Sequence, residues 1–465
     1  GLIGPIFLII KARFLSPEEF AYISIVLIVI GLFRLFEDFG ISQAIIQRDS
    51  VTVQESSSIF FFNIFLCFFF AGVLYLISPI IASFYSLPKL EFFLRLVSIT
   101  VLLTGPSLLL RAFLEKYLYF KHLSLIDIIR NLVAVLASTL FLILDFGVLG
   151  IILGDMLATI FTIVSIVYFS YRLKVTALKF CFLPNMLKPF INFGIFVSGK
   201  QVMTFASQRI DEVIIGYFLA PEILGIYYFG KNMLDSLRNL ITNSFAKVLF
   251  PVLSQIKHDR EKLSLAYQHI SRYIAFGAFP VFGGIAATAH LFVPVVFGEQ
   301  WIDSIVVFQV FSVTVIFLVL TANVSTSLLY SINKPNIVFY IDIATNALYF
   351  ISLLFFSSYG MIAILIAYSC YVIYKTIILQ CFANFQLAHS FLDYFRELAG
   401  PALSALIMVL VVLLFQIVSS PIVGNTSQLF GSIFIGAVVY GIISWLLDKR
   451  TLKELNSALI RGGST

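Results

Sequence analysis

An all-α, polytopic membrane protein of about fourteen transmembrane helices, in two parallel-repeat six-helix lobes plus two C-terminal helices, is the fold this sequence predicts. Three observations predict it: the composition, the recurrence of apolar runs of membrane-crossing length, and an internal repeat. Of 465 residues 60% are hydrophobic and 12% charged, with a mean hydropathy of +1.03, whereas soluble domains carry about 25% charge. A fold exposed to water could not hide 51 Phe without leaving broad apolar patches. The composition therefore excludes a soluble enzyme.

Crossing ~30 Å of hydrocarbon takes about 20 helical residues. Suitable runs lie near 1–14, 19–46, 58–84, 90–114, 123–144, 147–171 and 190–217. Seven more lie near 222–250, 268–296, 303–331, 336–356, 360–383, 398–418 and 428–447. In lipid every backbone group must pair internally, and these runs are too long for barrel strands, so each is a helix. The chain opens with Gly1 inside an apolar stretch, and its first helix is expected to lack its start. Alternate loops carry the basic residues, among them Arg48, Lys116, Lys121, Arg172, Lys188, Lys257, Lys334, Arg396 and Lys449; the opposite loops contribute little beyond Lys89. By the positive-inside rule both termini are expected in the cytoplasm. Trp301 and Trp445 near span ends read as interfacial anchors.

The repeat shows in four matches that recur in the same order, at offsets of 204, 214, 215 and 213 residues. Phe14 to Glu18 returns at Phe218 to Glu222, Ser98 to Thr100 at Ser312 to Thr314, Ile126 to Ile128 at Ile341 to Ile343, and Gly147 at Gly360. Six helices separate the copies, so both share one orientation, a known transporter plan. The expected organisation is a six-helix lobe over 1–172, a linker over 173–189, a second lobe over 190–390, and two further helices with a tail over 391–465. The linker mixes Lys174, Lys179 and Lys188 with Phe180, Phe182 and Leu183. It suits a segment lying on the cytoplasmic leaflet, and a plain charged linker suits it equally.

Charges inside spans cost about 2.5–3.5 kcal/mol each on insertion scales and face partners or water. The second span carries Arg34, Glu37 and Asp38, and Arg34 and Asp38 stand one turn apart, able to pair. Lys200, Thr204, Gln208 and Asp211 form a polar stripe on the seventh; Lys231, Asp235, Arg238 and Thr242 form one on the eighth. Arg34 and Arg238 are equivalent under the first repeat offset. A guanidinium stays charged and offers a planar fork of donors, which suits phosphate oxygens. The candidate substrate-binding set is therefore Arg34, Lys200, Thr204, Gln208, Lys231 and Arg238. The competing reading is that these residues form helix-to-helix ion pairs that set packing. Asp38, Asp211 and Asp235 are the candidates for proton or sodium coupling; Asp127, Asp155 and Asp342 also lie in or near spans, and a desolvated carboxylate can carry a proton. No cofactor or metal is expected. The run from Gly194 to Lys200 imitates a phosphate loop but continues with Gln201 where Ser or Thr should stand, and no strand precedes it.

Asp38 to Arg48 (Asp38-Phe39-Gly40-Ile41-Ser42-Gln43) resembles the end of the second helix in Wzx-type polysaccharide flippases. Leu219 to Glu222 leading to Gly225 and Tyr227, Leu249 to Ser254, and Phe297-Gly298 before Trp301 resemble the lipopolysaccharide and colanic-acid exporter branch of the multidrug/oligosaccharidyl-lipid/polysaccharide (MOP) superfamily. This resemblance spans about residues 10–400 and has no short catalytic signature. It implies a MATE-like V of two lobes around a cationic cavity. It further implies alternating access that moves an undecaprenyl-pyrophosphate-linked oligosaccharide across a bacterial inner membrane, for O-antigen, capsule or exopolysaccharide biosynthesis. Implied partners are the lipid-linked oligosaccharide, membrane lipids and a polysaccharide polymerase or export machinery, with no nucleic acid. The alternative is an ion-coupled multidrug cation exporter of the same superfamily, whose cavity should be acidic. A membrane polymerase or ligase would need a substantial outer loop, which the short loops do not provide.

Overall fold

Residues 3–175, 178–320, 324–387, 391–420 and 424–449 are described by a computed structural model, and every regular element among them is helical. Every predicted span holds helix, the run at 303–331 as two pieces, Ile305–Leu320 and Thr326–Ser331, with 321–323 outside the described residues; eleven of the described helical segments are long and apolar enough to cross a membrane. The first helix, α1 (Ile3–Phe14), is too short for that set. Two others, α8 (Lys188–Phe218) and α9 (Pro221–Gln255), are long, but the polar stripes noted above lower their hydropathy. The protein is thus a multi-pass membrane protein.

The second predicted span is not one helix. It divides into α2 (Pro17–Asp38) and α3 (Ile41–Gln47) at two consecutive left-handed residues, Phe39 (φ 46°) and Gly40 (φ 67°). Side chains other than Gly resist that conformation, so the bend is held by its surroundings. Gly194 of α8 lies against the Phe39 carbonyl so closely that a Cβ would overlap it. Helix starts follow their local signals. Ser16 and Glu19 form a capping box on α2, with Ser16 N–H donating to the Glu19 carboxylate at 2.9 Å and Glu19 N–H donating to Ser16 Oγ at 3.3 Å. Thr52 and Glu55 repeat the device on α4 (Val53–Phe84).

The chain packs as two compact units. One holds residues 10–225; the other holds residues 226–465 together with 1–9. In the first, α4 runs beside α5 (Pro88–Lys116), and α6 (Phe120–Ile143) beside α7 (Gly147–Arg172); α2 and α3 pack on α5 and α8. Lipid removes the usual hydrophobic drive between helices, so close fit decides their association. Ser138 of α6 sits where a Cβ on Gly154 of α7 would be. Ile41, Ile45, Phe113, Ile126, Ile166 and Phe190 share one buried cluster.

The linker after α7 is fastened to α4. Lys179 N–H donates to Ser57 Oγ at 2.9 Å and Leu183 N–H to Ser58 Oγ at 3.0 Å. Each of those hydroxyls also donates within its own helix, to Val53 and Gln54 carbonyls at 2.8 Å. Phe180 stands 98% exposed above this clamp, its ring edge-on to Phe61 at 5.1 Å.

In the second unit α10 (Arg260–Val296) is the hub, packing on α11 (Ile305–Leu320), α15 (Phe391–Ser419) and α16 (Asn425–Leu447). Asp259 caps α10, accepting from Lys262 N–H at 3.1 Å, and the Lys262 ammonium at 2.8 Å holds its carboxyl below the usual range. α12 (Thr326–Ser331) and α13 (Pro335–Phe356) lead to α14 (Met361–Leu387), on which α11 and α13 pack. Arg272 of α10 ties in the last two helices: it donates to Glu397 of α15 at 3.0 Å and also pairs with Asp448 after α16. Trp301 departs from its expected role as an anchor. It is fully buried, its ring 4.1 Å from that of Phe229 in a nest of aromatic side chains. Trp445 is exposed.

The backbone repeats the pattern read from the sequence. Leu118 (φ 60°) precedes α6 and Asn333 (φ 59°) precedes α13; Gly147 (φ 54°) opens α7 and Gly360 (φ 89°) immediately precedes α14.

Candidate functional site

In the unit over residues 10–225, Arg34 projects from the last turns of α2 and meets Asp155 of α7, not Asp38. Its Nη2 lies 3.8 Å from Asp155 Oδ2, with Arg34 45% and Asp155 37% exposed. Asp38 is engaged elsewhere: its Oδ1 accepts from Ser42 N–H at 3.1 Å and from the Ser42 hydroxyl, closing the α2–α3 bend. Arg130 of α6, which the sequence reading did not select, donates Nη2–H to Asp155 Oδ1 at 2.6 Å. Lys11 of α1 is near enough to interact electrostatically with the same carboxylate. Three cations thus lie around the Asp155 carboxylate, and Glu37 of α2 is in turn within electrostatic reach of Arg34.

Glu37, also missed, is fully buried and accepts from Thr104 Oγ1 at 2.7 Å, while its Oε1 has no hydrogen-bond partner. No periodicity distinguished Glu37, since its partner Thr104 lies on another helix. Further along, Glu212 of α8 is buried between Arg209 Nη1 (2.8 Å) and the Ser24 hydroxyl (3.1 Å) of α2. Of the α8 stripe, Thr204 and Gln208 are exposed and Asp211 is buried; the Lys200 side chain lies outside the described residues.

In the other unit Lys231 of α9 is 6% exposed, its Nζ 5.7 Å from the Tyr227 ring centre and 6.0 Å from that of Tyr368 on α14. Both are cation–π distances. Arg238 pairs with Asp235 one turn away at 3.1 Å. A second lysine on α14, Lys375, pairs with Asp342 of α13 at 2.9 Å and takes up the Tyr371 hydroxyl at 3.2 Å. Tyr371 in turn donates to Asn346 at 2.7 Å. This unit therefore holds cations against aromatic faces and single carboxylates, within a layer of tyrosines. Among the described residues no group of His, Cys, Asp and Glu has the spacing to hold a metal.

Arg34 and Arg238 each lie in a different unit, and each has an acidic neighbour there. The strength of those pairs differs. Arg238 is at 3.1 Å from its partner on the same helix, whereas Arg34 is held only loosely by a residue of another. Chemically, the loosely held guanidinium beside Arg130 is an arrangement that accepts polyanionic oxygens.

The chain is 28% identical over 325 residues to the teichuronic acid biosynthesis protein TuaB of Bacillus subtilis, covering 68% of this chain and 65% of that protein. It is 23% identical to the lipopolysaccharide biosynthesis protein WzxC of Escherichia coli, covering 67% of this chain and 63% of that one. The chain thus spans slightly under two thirds of the length of these relatives. Its fold is that of the lipid II flippase MurJ in an inward closed conformation, with a TM-score of 0.80 over 97% of both chains at 15% identity. Residues 10–306 match the family model described as polysaccharide biosynthesis protein, and to that family the chain belongs.

Proposed function

We propose that the chain is a flippase that carries an undecaprenyl-pyrophosphate-linked oligosaccharide across a bacterial inner membrane by alternating access, with both termini on the cytoplasmic side. One observation carries this reading: Arg34 and Arg130 converge on the Asp155 carboxylate among membrane-crossing helices, with Lys11 in electrostatic reach of it. Charged groups in that setting need partners or water, and a diphosphate headgroup needs donors to replace its hydration. The names of the relatives support a glycan as cargo, and the basic loops support the orientation. A proton or sodium gradient drives the cycle through a carboxylate among Asp38, Asp211 and Asp235, with Glu37 added to that set by its dry oxygen.

The test is retention of lipid-linked diphosphates by the detergent-purified protein, read by mass spectrometry. Two charged hydrogen bonds at about 1.5 kcal/mol each make the R34Q/R130Q double variant about a hundredfold weaker in retention. Full retention in a correctly inserted double variant refutes the assignment. A cation exporter would instead bind tetraphenylphosphonium and leave the diphosphate lipid unretained.

A further inference from the structure

Asp155 is shared unevenly. Arg130 holds Oδ1 by a short charge-assisted bond of 2.6 Å, while Arg34 stands 3.8 Å from Oδ2, beyond hydrogen-bond range. Among the described residues Arg34 makes no hydrogen bond, and its side chain is nearly half exposed. It has a counter-charge nearby but donors still open to a second acceptor. Asp155 fills, electrostatically, the position of an anion that is not covalently part of the protein.

The second copy of the repeat shows that the fold does not demand a carboxylate there. Gly147 corresponds to Gly360, so Asp155, eight residues on, corresponds to Tyr368. That neutral side chain lies beside Lys231. An acid at this position belongs to one copy only, the copy in which two arginines converge on it. A carrier that grips a diphosphate with arginines also has to let it go, since passage needs binding weak enough to leave.

We propose that Asp155 is a built-in counter-ion that a diphosphate displaces from Arg34 and that, on returning, drives the diphosphate out. The ligand's oxygens take the Arg34 donors, Asp155 stays on Arg130, and its re-approach to Arg34 competes for the guanidinium. This rests on the function proposed above and adds the element that sets release. Asp155 is a positioning and competing residue; it does not itself bind the headgroup.

The experiment uses the full chain in detergent with radiolabelled farnesyl diphosphate as probe, farnesol as the uncharged control and inorganic pyrophosphate as competitor. D155N is expected to bind the probe about tenfold tighter, through removal of both a competing pair and a repelling charge, and to release it more slowly by a similar factor. D155E should return both values to those of the wild type. A merely structural ion pair predicts a lower melting midpoint in D155N with no gain in binding. D155S carries the same expectation should D155N fail to fold. Failure of both to fold shows that the fold requires the carboxylate and overturns the proposal. If the wild type binds the probe and D155N and D155S bind it equally or less well, the counter-ion role falls while the flippase reading stands. If the wild type binds neither farnesyl diphosphate nor pyrophosphate, both fall. Displacement by pyrophosphate only in large excess assigns the site to a lipid headgroup; equal potency assigns it to a free diphosphate, and either outcome, with tighter binding in D155N, supports displacement of Asp155.

Discussion

Replacing Arg272 with Met removes the guanidinium that Glu397 and Asp448 share. Arg272 is 11% exposed and the Asp448 side chain 0%, so the perturbation falls on a dry ion triad. Breaking a buried pair by deleting one partner costs about 3–5 kcal/mol, because charge is left facing a low dielectric. Glu397 is about a third exposed and is partly screened, which places the expected cost at the low end, ~3 kcal/mol. For a unit of this size each kcal/mol lowers the melting midpoint by about 2–4 °C, giving a drop of about 6–12 °C. The assay is the apparent midpoint of the detergent-solubilised protein by fluorescence size-exclusion chromatography. R272M should lose midpoint. A triple change, R272M/E397Q/D448N, should recover part of the loss by removing the stranded acids. A midpoint in R272M within about 2 °C of the wild type would refute the view that this triad docks α15 and α16 onto α10.

Two further predictions follow from close contacts. G194A places a Cβ on the Phe39 carbonyl, a clash that backbone has to absorb at about 1–3 kcal/mol; G199A, with nothing within 4 Å of the new atom, is the neutral or slightly stabilising control in the same helix. Equal midpoints for the two variants would argue against a tight α8 approach to the α2–α3 bend. In a background of W301F and W445F, F180W is expected to lose most of its fluorescence to lipids brominated near the headgroup in reconstituted vesicles, because Phe180 is exposed at the level of the first turns of α4. Emission insensitive to brominated lipid would place the linker in water instead.

Much of the fold was readable because lipid imposes a simple rule: long apolar runs can only be helices, and all fourteen positions carry one. What escaped was set by contacts across the sequence. The run from 19 to 46 has the length and mean apolarity of one span, which hid the bend although Asp38 and Gly40 flank Phe39; α8, far along the chain, helps to hold it. Trp301 sits near a span end in sequence, yet it is fully buried against Phe229. For the candidate site, helical spacing put Arg238 and Asp235 on one face, where they pair with each other. The same logic offered Asp38 to Arg34. Ser42 satisfies Asp38 instead, and Arg34 turns to Asp155, with Arg130 beside it. Partners contributed by different helices leave no periodic trace, which is why Arg130 and Glu37 had to be found in space.

The serine clamp on the linker has a mechanical consequence. Fully extended, the stretch from Arg172 to Lys188 could reach about 50 Å, long enough to let α8 wander. Pinning Leu183 to Ser58 shortens the free leash to the residues just before Lys188, about 17 Å at most. A short leash raises the local concentration of α8 beside α2 and α3 and adds to the Ser24–Glu212 hydrogen bond that joins α2 to α8. The two hydroxyls thus act as a cleat, making α8 travel with the helices that precede it in the chain.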